Sequence, residues 1–260
     1  AIYSRHSFAV YPLVVQASGA TAVVTAAKNW GNDLEAMLAA VTEATRLIFL
    51  ANPNNPTGTW VDRISLQAFL EKLPANIIVV LDEAYFEYVT ETDYPDGLTL
   101  LQDFPNVIVT RTFSKAYGLA GLRVGYGISN RSIADILNRV RQPFNVNSLA
   151  LAAAEAALDD IAFIETSKKM NTAGLAQLTN AFDELGLSYI PSVANFVAVR
   201  IGQHTKTLSA MTVYKKLLHS GVIVRPVDNY DMPDYLRITI GLEQENEKFI
   251  DALKQVLLSK

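Results

Sequence analysis

Short apolar, β-branched runs alternate with longer stretches in helical spacing through the first half of the chain. The runs lie at residues 22–25, 47–50, 77–81, 107–110 and 124–128. A helical pattern at residues 64–73 lies between two of them, and Asp62 is placed to cap its start. Strands separated by helices of this length favour parallel pairing in a sheet that helices cover on both faces. We therefore predict an α/β fold whose ligands bind beyond the carboxyl ends of the strands.

The pattern changes at Ser148. An Ala- and Leu-rich helix is predicted at residues 148–160, and a long amphipathic helix follows at residues 161–185. Beyond them we predict strands at 195–201, 222–225 and 236–240, with helices near 208–220 and 243–258. We interpret residues 1–147 as a large domain and residues 148–260 as a smaller α/β domain that includes the long connecting helix.

Composition narrows the classes of function. Half of the 260 residues are apolar, 18% are charged, and the formal net charge is -4. Because this mild acidity attracts neither nucleic acid nor an anionic membrane surface, we expect neither as a partner. The absence of cysteine excludes disulfides and thiolate metal sites, and we expect a cytoplasmic protein without a bound metal. No apolar run approaches the roughly 20 residues that span a bilayer.

Polar residues follow two of the predicted strands. The turn at residues 52–58 contains two prolines and a glycine, and by itself it indicates only a loop. Asp82 and Glu83 end an apolar strand, where a carboxylate is costly unless it meets a cation or a metal. A nucleotide hydrolase would hold magnesium at such a strand end, but it also requires a phosphate loop with a Gly-Lys pair. The chain contains no Gly-Lys pair, so this class is excluded.

A lysine with a specific chemical use follows a third strand. Lys115 comes after the run at 107–110, two hydroxyl residues (Thr112 and Ser114) precede it, and Arg123 follows it. A lysine near a sheet edge is usually a solvated surface residue, but these neighbours would suit a phosphate. With a carboxylate from a neighbouring strand end, such a lysine can form a Schiff base with pyridoxal phosphate while the carboxylate pairs with the pyridine nitrogen.

Four motifs, taken in order, resemble those of the fold-type-I aminotransferases that depend on pyridoxal phosphate. They are Asn55-Pro56-Thr57-Gly58, Asp82-Glu83-Ala84-Tyr85, Ser114-Lys115 and Arg123-Val124-Gly125. Within this class, residues 54–58, 111–123 and 236–241 are most similar to the histidinol-phosphate aminotransferases. The resemblance covers essentially the whole chain. It implies a mostly parallel sheet with helices on both faces and a smaller C-terminal α/β domain.

The resemblance also implies roles around pyridoxal 5′-phosphate. Lys115 would carry the cofactor and move a proton between the substrate Cα and the cofactor. Asp82 would keep the pyridine nitrogen protonated, because an opposite charge at hydrogen-bond range favours the charged form. Asn55 and Tyr85 would form hydrogen bonds to the 3′ oxygen of the cofactor. The phosphate would be held by Ser114, Arg123 and Thr112.

Further residues match the family's positions around the ring and the substrate. Phe8 stands where the family stacks an aromatic side chain on the pyridine ring, although a core position explains it equally well. Arg237 and Arg225 match arginines that bind the anionic group of the substrate, and Asn55 is expected to contact the substrate too. Arg225 could instead form a surface ion pair. Asn195, at the start of its predicted strand, is a weaker candidate for this site and could instead form only a strand-end hydrogen bond. Because both a carboxylate and a phosphate are anionic, the arginines do not distinguish the substrates.

The reaction implied by the resemblance is transamination between an amino donor and a keto acceptor, in a homodimer with sites at the interface. We expect histidinol phosphate and 2-oxoglutarate to give imidazole acetol phosphate and glutamate, in histidine biosynthesis. An aromatic or other amino-acid aminotransferase is the alternative. Decarboxylases and lyases also remain open, since the cofactor motifs do not decide which bond breaks.

The family has a further N-terminal segment with a Gly-rich phosphate contact and an arm that reaches the partner subunit. Neither precedes Ala1. We therefore expect either that the chain derives from a longer protein or that it is a catalytically incompetent fragment that binds the cofactor.

Overall fold

The computed structural model describes residues 1–201 and 208–258. Its largest sheet has six strands in the order β2-β1-β5-β6-β7-β8. The bounds are β1 (Ile2–Ser4), β2 (Val23–Thr25), β5 (Leu47–Ala51), β6 (Ile78–Asp82), β7 (Val107–Thr112) and β8 (Gly125–Ser129). All neighbours in this sheet pair in parallel except β7 and β8, which are antiparallel. The prediction of a mostly parallel sheet is confirmed.

A second sheet has four antiparallel strands in the order β11-β12-β10-β9. Their bounds are β9 (Tyr189–Ile190), β10 (Phe196–Arg200), β11 (Arg225–Pro226) and β12 (Tyr235–Thr239). The remaining strands, β3 (Ala27–Lys28) and β4 (Gly31–Asn32), form a small antiparallel ladder. Of the predicted strand at 222–225, only Arg225 belongs to a strand, β11. Val222 and Val224 lie in a loop, and their side chains pack into the core.

The helices connect and cover these sheets. They are α1 (Val10–Ala17), α2 (Leu34–Ala39), α3 (Arg63–Lys72), α4 (Arg131–Val140), α5 (Ser148–Asp159), α6 (Ile161–Glu184), α7 (Ala210–His219) and α8 (Glu243–Leu258). Asp62 caps α3 as predicted, since its carboxylate accepts a hydrogen bond from the Ser65 N–H at 2.8 Å. Over the described residues, none of the helices combines the length and apolar character that crossing a membrane requires.

Two large apolar cores correspond to the two main sheets. One contains buried side chains of β5, β6 and β7 with those of α3, such as Ile48, Val79 and Phe69. The other joins β10 and β12 to α6, α7 and α8 through residues such as Val199 and Phe182. The predicted domain boundary after residue 147 stays a prediction. Helix α5, which follows it, packs its buried alanines against a smaller core that contains Phe113.

A close approach between the two regions explains one glycine. Gly58 ends the turn after β5 with φ +74°, and a Cβ atom there would lie 1.9 Å from the Ser192 hydroxyl oxygen. Its carbonyl accepts a hydrogen bond from the Val193 N–H at 3.0 Å. Only glycine combines this backbone angle with this contact, so the turn that carries Asn55 is held against the segment that precedes β10.

Candidate active site

The predicted site residues meet at the carboxyl ends of β5, β6 and β7. A cavity of about 560 Å³ opens there. Eight of the ten predicted residues line it: Phe8, Asn55, Asp82, Tyr85, Thr112, Ser114, Lys115 and Arg123. The parallel order β5-β6-β7 brings the turns after these strands to one edge, as the strand-end rule requires. The remaining two predicted residues, Arg237 and Arg225, lie on the second sheet.

Asp82 is the last residue of β6, and its side chain faces the cavity. One carboxylate oxygen accepts a hydrogen bond from the Tyr11 hydroxyl at 2.8 Å, and the other accepts one from the Ala84 N–H at 3.2 Å. Burial raises the pKa of Asp82, while these two hydrogen bonds and the charge of Lys115 oppose that rise. The carboxylate is therefore placed to pair with a cationic group in the cavity.

Lys115 lies in the turn after β7 and is half-buried in the same cavity. Its Nζ lies 5.4 Å from the centroid of the Tyr85 ring. Burial lowers the pKa of Lys115, and the nearby charges of Arg237 and Arg123 lower it further. A larger fraction of the amine is then neutral near pH 7, and the neutral amine is the form that attacks carbonyl carbon.

Tyr85 forms part of the cavity wall beside Lys115. Its ring is buried and packs edge-on against Phe196 of β10, with centroids 5.2 Å apart. Burial raises the pKa of Tyr85, so the phenol stays protonated and can donate a hydrogen bond into the cavity.

The opposite end of the cavity is cationic and open to solvent. Arg123 takes a left-handed conformation with φ +55° and donates hydrogen bonds to the Ser114 hydroxyl at 3.3 Å and to the Ala120 carbonyl at 2.8 Å. The Thr112 hydroxyl accepts a hydrogen bond from the Ser114 N–H at 3.1 Å. Two hydroxyls and one guanidinium thus lie together, which is the chemistry that holds a phosphate.

Arg237 extends from β12 to Asn55, which lines the cavity. Its Nη1 donates a hydrogen bond to the Asn55 side-chain oxygen at 2.6 Å, and its guanidinium carbon lies 4.8 Å from the centroid of the Phe196 ring. Among the described residues, none forms a hydrogen bond with its buried Nε. Burial lowers the pKa of Arg237, and the neighbouring Arg225 adds to this. A buried guanidinium with a free donor is a site for an anion.

The structure places two of the candidates less centrally. Arg225 lies directly opposite Arg237 in the β11–β12 register, but its side chain is exposed and does not line the cavity. Asn195 does not line the cavity either, and its side chain forms a hydrogen bond with Tyr88.

Two residues of the site are missing from the sequence-based prediction. Tyr11 lines the cavity and donates to Asp82, and Thr110, on β7, also forms a side-chain hydrogen bond with Asp82. Tyr11 lies three residues after Phe8 and Thr110 lies two residues before Thr112, so both are near predicted positions. No feature of the sequence indicates that their side chains turn towards Asp82.

A buried ion pair lies beside the cavity, and one of its partners, Arg111, also lines the cavity. Glu83 is fully buried and accepts hydrogen bonds from Nε and Nη2 of Arg111 at 2.9 and 2.7 Å, and from the Gly97 N–H at 2.8 Å. The guanidinium of Arg111 also binds Asp96 and lies 3.6 Å from the centroid of the Phe86 ring. Burial raises the pKa of Glu83 to about 7 although Arg111 lowers it. The pair joins the ends of β6 and β7 directly behind Asp82.

A larger cleft of about 1010 Å³ lies between the β3–β4 ladder, α3 and β9. Two of its acidic residues are used for structure, since Asp33 caps α2 and Asp62 caps α3. Its described lining also includes Lys28, Lys72 and Glu35 but no arginine, so it has no counterpart of the Ser114–Arg123 pair.

Comparison with known proteins gives a consistent result. A model of the family described as aminotransferase class I and II matches residues 1–253. Histidinol-phosphate aminotransferase 2 of Pseudomonas fluorescens is 58% identical over 257 residues, which are 99% of this chain and 68% of that protein. The histidinol-phosphate aminotransferase of Methylobacillus flagellatus is 54% identical, over 100% of this chain and 69% of that protein.

Among solved structures, the histidinol-phosphate aminotransferase of Sinorhizobium meliloti, in complex with pyridoxal-5′-phosphate, superposes with a TM-score of 0.90 and 33% identity. The match covers 99% of this chain and 70% of that one.

Proposed function

This chain belongs to the aminotransferase class I and II family, and we propose that it catalyses the transamination of histidinol phosphate with 2-oxoglutarate. The products are imidazole acetol phosphate and glutamate, and the step belongs to histidine biosynthesis. The observation that carries the proposal is the convergence of Lys115, Asp82 and the Ser114–Arg123 pair on one cavity. The substrate is supported by the relatives named histidinol-phosphate aminotransferase at 54–58% identity.

The cavity fits pyridoxal phosphate in three independent respects. It contains an amine whose pKa is lowered, a carboxylate at its base, and a hydroxyl–guanidinium group at its open end. These groups match the aldehyde, the pyridine nitrogen and the phosphate of the cofactor. When bound, pyridoxal phosphate supplies an electron sink for the bond-breaking step.

Each residue then has a role in binding or proton transfer. Lys115 would hold the cofactor and, as a free amine, would carry the proton between the substrate Cα and the cofactor. Asp82 would pair with the pyridine nitrogen. Asn55 and Tyr85 would form hydrogen bonds to the 3′ oxygen, and Phe8 would stack on the ring. Ser114, Arg123 and Thr112 would hold the phosphate.

Arg237 and Arg225 bind the anionic group of the substrate in this proposal. They lie opposite each other on neighbouring strands, and like charges in that arrangement repel. An anion between them removes the repulsion and gives a partner to the free Nε of Arg237. Asn55, already bonded to Arg237, completes the contact.

A second candidate, an aminotransferase for aromatic or other amino acids, is favoured by one observation. Arg225 is exposed, whereas Arg237 is partly buried and bonded to Asn55, so Arg237 alone would bind the substrate anion. One arginine suits an α-carboxylate as well as a phosphate.

We also propose that the protein is a homodimer in the cytoplasm. The face formed by α4 and the loop after it exposes large apolar side chains, including Val140 at 71% and Phe144 at 99% exposure. Exposed apolar groups of this kind mark interaction surfaces. Phosphorylated substrates are charged and do not cross membranes freely, which supports the location. Light scattering after size exclusion should give the mass of two chains; the mass of one chain would contradict the dimer.

The first test of the function is covalent labelling. The protein is mixed with pyridoxal phosphate, reduced with borohydride and mapped by peptide mass spectrometry. We expect the label on Lys115 and its loss in Lys115→Ala, while Lys28→Ala, in the larger cleft, keeps it. Absence of label on Lys115 would refute the cofactor assignment for this chain.

The second test concerns the substrate. Glutamate formation is measured with histidinol phosphate, with histidinol as the matched control lacking the phosphate, and with phenylalanine. The proposal requires the highest kcat/KM for histidinol phosphate. Faster turnover of phenylalanine would favour the second candidate, and no turnover of any donor despite a labelled Lys115 would favour an incompetent fragment that binds the cofactor.

A further inference from the structure

Tyr11 is fixed in position against the carboxylate at the base of the cavity. It lies at the start of α1 with only 4% of its surface exposed, and its hydroxyl donates to Oδ2 of Asp82 at 2.8 Å. Its ring stacks on Phe49 of β5, with centroids 4.8 Å apart and planes 9° apart. Phe8 packs edge-on against it, with ring centroids 6.0 Å apart and planes at 90°. Because two aromatic rings pack against it, the hydroxyl cannot turn away without unpacking this cluster.

The hydroxyl acts on Asp82 as a hydrogen-bond donor only. Burial and the neighbouring carboxylate raise the pKa of Tyr11 well above its ordinary value, so the phenol keeps its proton throughout the physiological range. A phenol proton beside a carboxylate stabilises the ionised form of that carboxylate. Tyr11 thus opposes the burial that raises the pKa of Asp82.

The other groups around Asp82 leave this role to Tyr11. The loop after β6 supplies the Ala84 N–H at a longer distance of 3.2 Å, and β7 supplies the Thr110 hydroxyl. Within the part of the chain that the structure describes, the titratable side chains that interact with Asp82 are Tyr11, Tyr85 and Lys115. Among these three, only Tyr11 forms a hydrogen bond with it in the structure.

We propose that Tyr11 is a positioning residue that keeps Asp82 ionised and thereby keeps the proton on the pyridine nitrogen of the bound cofactor. The inference rests on the proposed function, since it assumes that Asp82 faces that nitrogen. Two arrangements of one proton compete: carboxylate with pyridinium, and carboxylic acid with neutral pyridine. Tyr11 stabilises the first arrangement. Its loss moves the proton from the nitrogen to a carboxylate oxygen, with no other atom transferred.

The expected size of the effect on the proton equilibrium of Asp82 follows from the type of hydrogen bond that is lost. A hydrogen bond to a charged group contributes enough to change a proton equilibrium roughly ten- to hundred-fold. Tyr11→Phe removes the hydroxyl and keeps the stacked ring. Tyr3→Phe is the matched control, because Tyr3 belongs to the same apolar cluster and also contacts Tyr11, with ring centroids 6.4 Å apart. The described hydrogen bonds of Asp82 do not include Tyr3.

The experiment has two readouts that do not depend on turnover. In the cofactor-free protein, ¹³C NMR follows the titration of the Asp82 carboxyl carbon, assigned with Asp82→Asn. With pyridoxal phosphate labelled with ¹⁵N in the ring, the nitrogen chemical shift reports whether that nitrogen is protonated between pH 6 and 9. Borohydride labelling of Lys115 is measured on the same samples, and thermal unfolding checks that each variant is folded.

We expect Tyr11→Phe to raise the pKa of Asp82 and to move the nitrogen signal towards that of Asp82→Asn, while Tyr3→Phe matches the wild type. An unchanged Asp82 titration in folded Tyr11→Phe, or equal effects of Tyr11→Phe and Tyr3→Phe, would overturn the role of Tyr11. A nitrogen signal that stays fully protonated in Tyr11→Phe would overturn it as well. If Lys115 takes no label in the wild type, the proposed function fails, and the Asp82 titration still decides whether Tyr11 controls the carboxylate.

Discussion

Replacing Arg111 with methionine should destabilise the protein strongly, because it leaves a buried carboxylate without its cation. Glu83 is fully buried, and Arg111 binds it through two nitrogens at 2.7 and 2.9 Å. Methionine keeps an apolar stem near Phe86, so the main change is the loss of the charge. Removing one partner of a buried pair costs about 3–5 kcal/mol.

The destabilisation should also depend on pH in a defined direction. Burial raises the pKa of Glu83 to about 7 in the folded state. The folded state therefore holds this proton more tightly than the unfolded state, and wild-type stability falls as the pH rises from the ordinary carboxyl range to about 7. Without Arg111 the pKa of Glu83 rises further, so the variant keeps losing stability above pH 7. The difference between variant and wild type should thus be small at pH 5 and largest at pH 9.

Urea unfolding at pH 5, 7 and 9, followed by the fluorescence of Trp30 and Trp60, measures this difference. Arg5→Met is the matched control, because the pair between Arg5 and Asp231 spans 3.8 Å with side chains 59% and 75% exposed. That control should change the free energy of unfolding by less than about 0.5 kcal/mol. A loss in Arg111→Met no larger than in Arg5→Met, or a difference that shrinks with rising pH, would refute the reasoning.

Three further outcomes are expected. Asn52→Ala should cost about 2–4 kcal/mol in urea unfolding, because its buried amide satisfies two backbone groups at 2.8 and 3.1 Å. Gly97→Ala should lower stability by about 1–3 kcal/mol, since the added carbon would lie 2.7 Å from a buried carboxylate oxygen, while Gly121→Ala, with nothing within 4 Å, should not. Arg237→Met should raise the pKa of Lys115, because a repelling charge is removed. Labelling of that amine by trinitrobenzenesulfonate in the cofactor-free protein should then shift to higher pH, and an unchanged pH profile would show that the two charges do not interact.

The sequence by itself predicted the parts of the protein that depend on local pattern. Apolar runs marked β5, β6 and β7, and Asp62 marked the start of α3. Because parallel strands present their carboxyl ends at one edge, residues such as Asp82 and Lys115 could be assigned to one site without coordinates. The order of the motifs then indicated the family, and the match of the family model to residues 1–253 confirmed this prediction.

Several short elements were missed or placed inexactly, because they have too few residues to show a period. Strand β1 covers three residues and β11 covers two, and both are defined by hydrogen bonds to neighbouring strands. The tertiary structure likewise decided which side chains meet across long separations. Asn55 bonds to Arg237, 182 residues away, and Tyr11 bonds to Asp82, 71 residues away. Sequence spacing constrains contacts only within a helix, a strand or a turn, whereas contacts of this kind depend on how the separate elements pack.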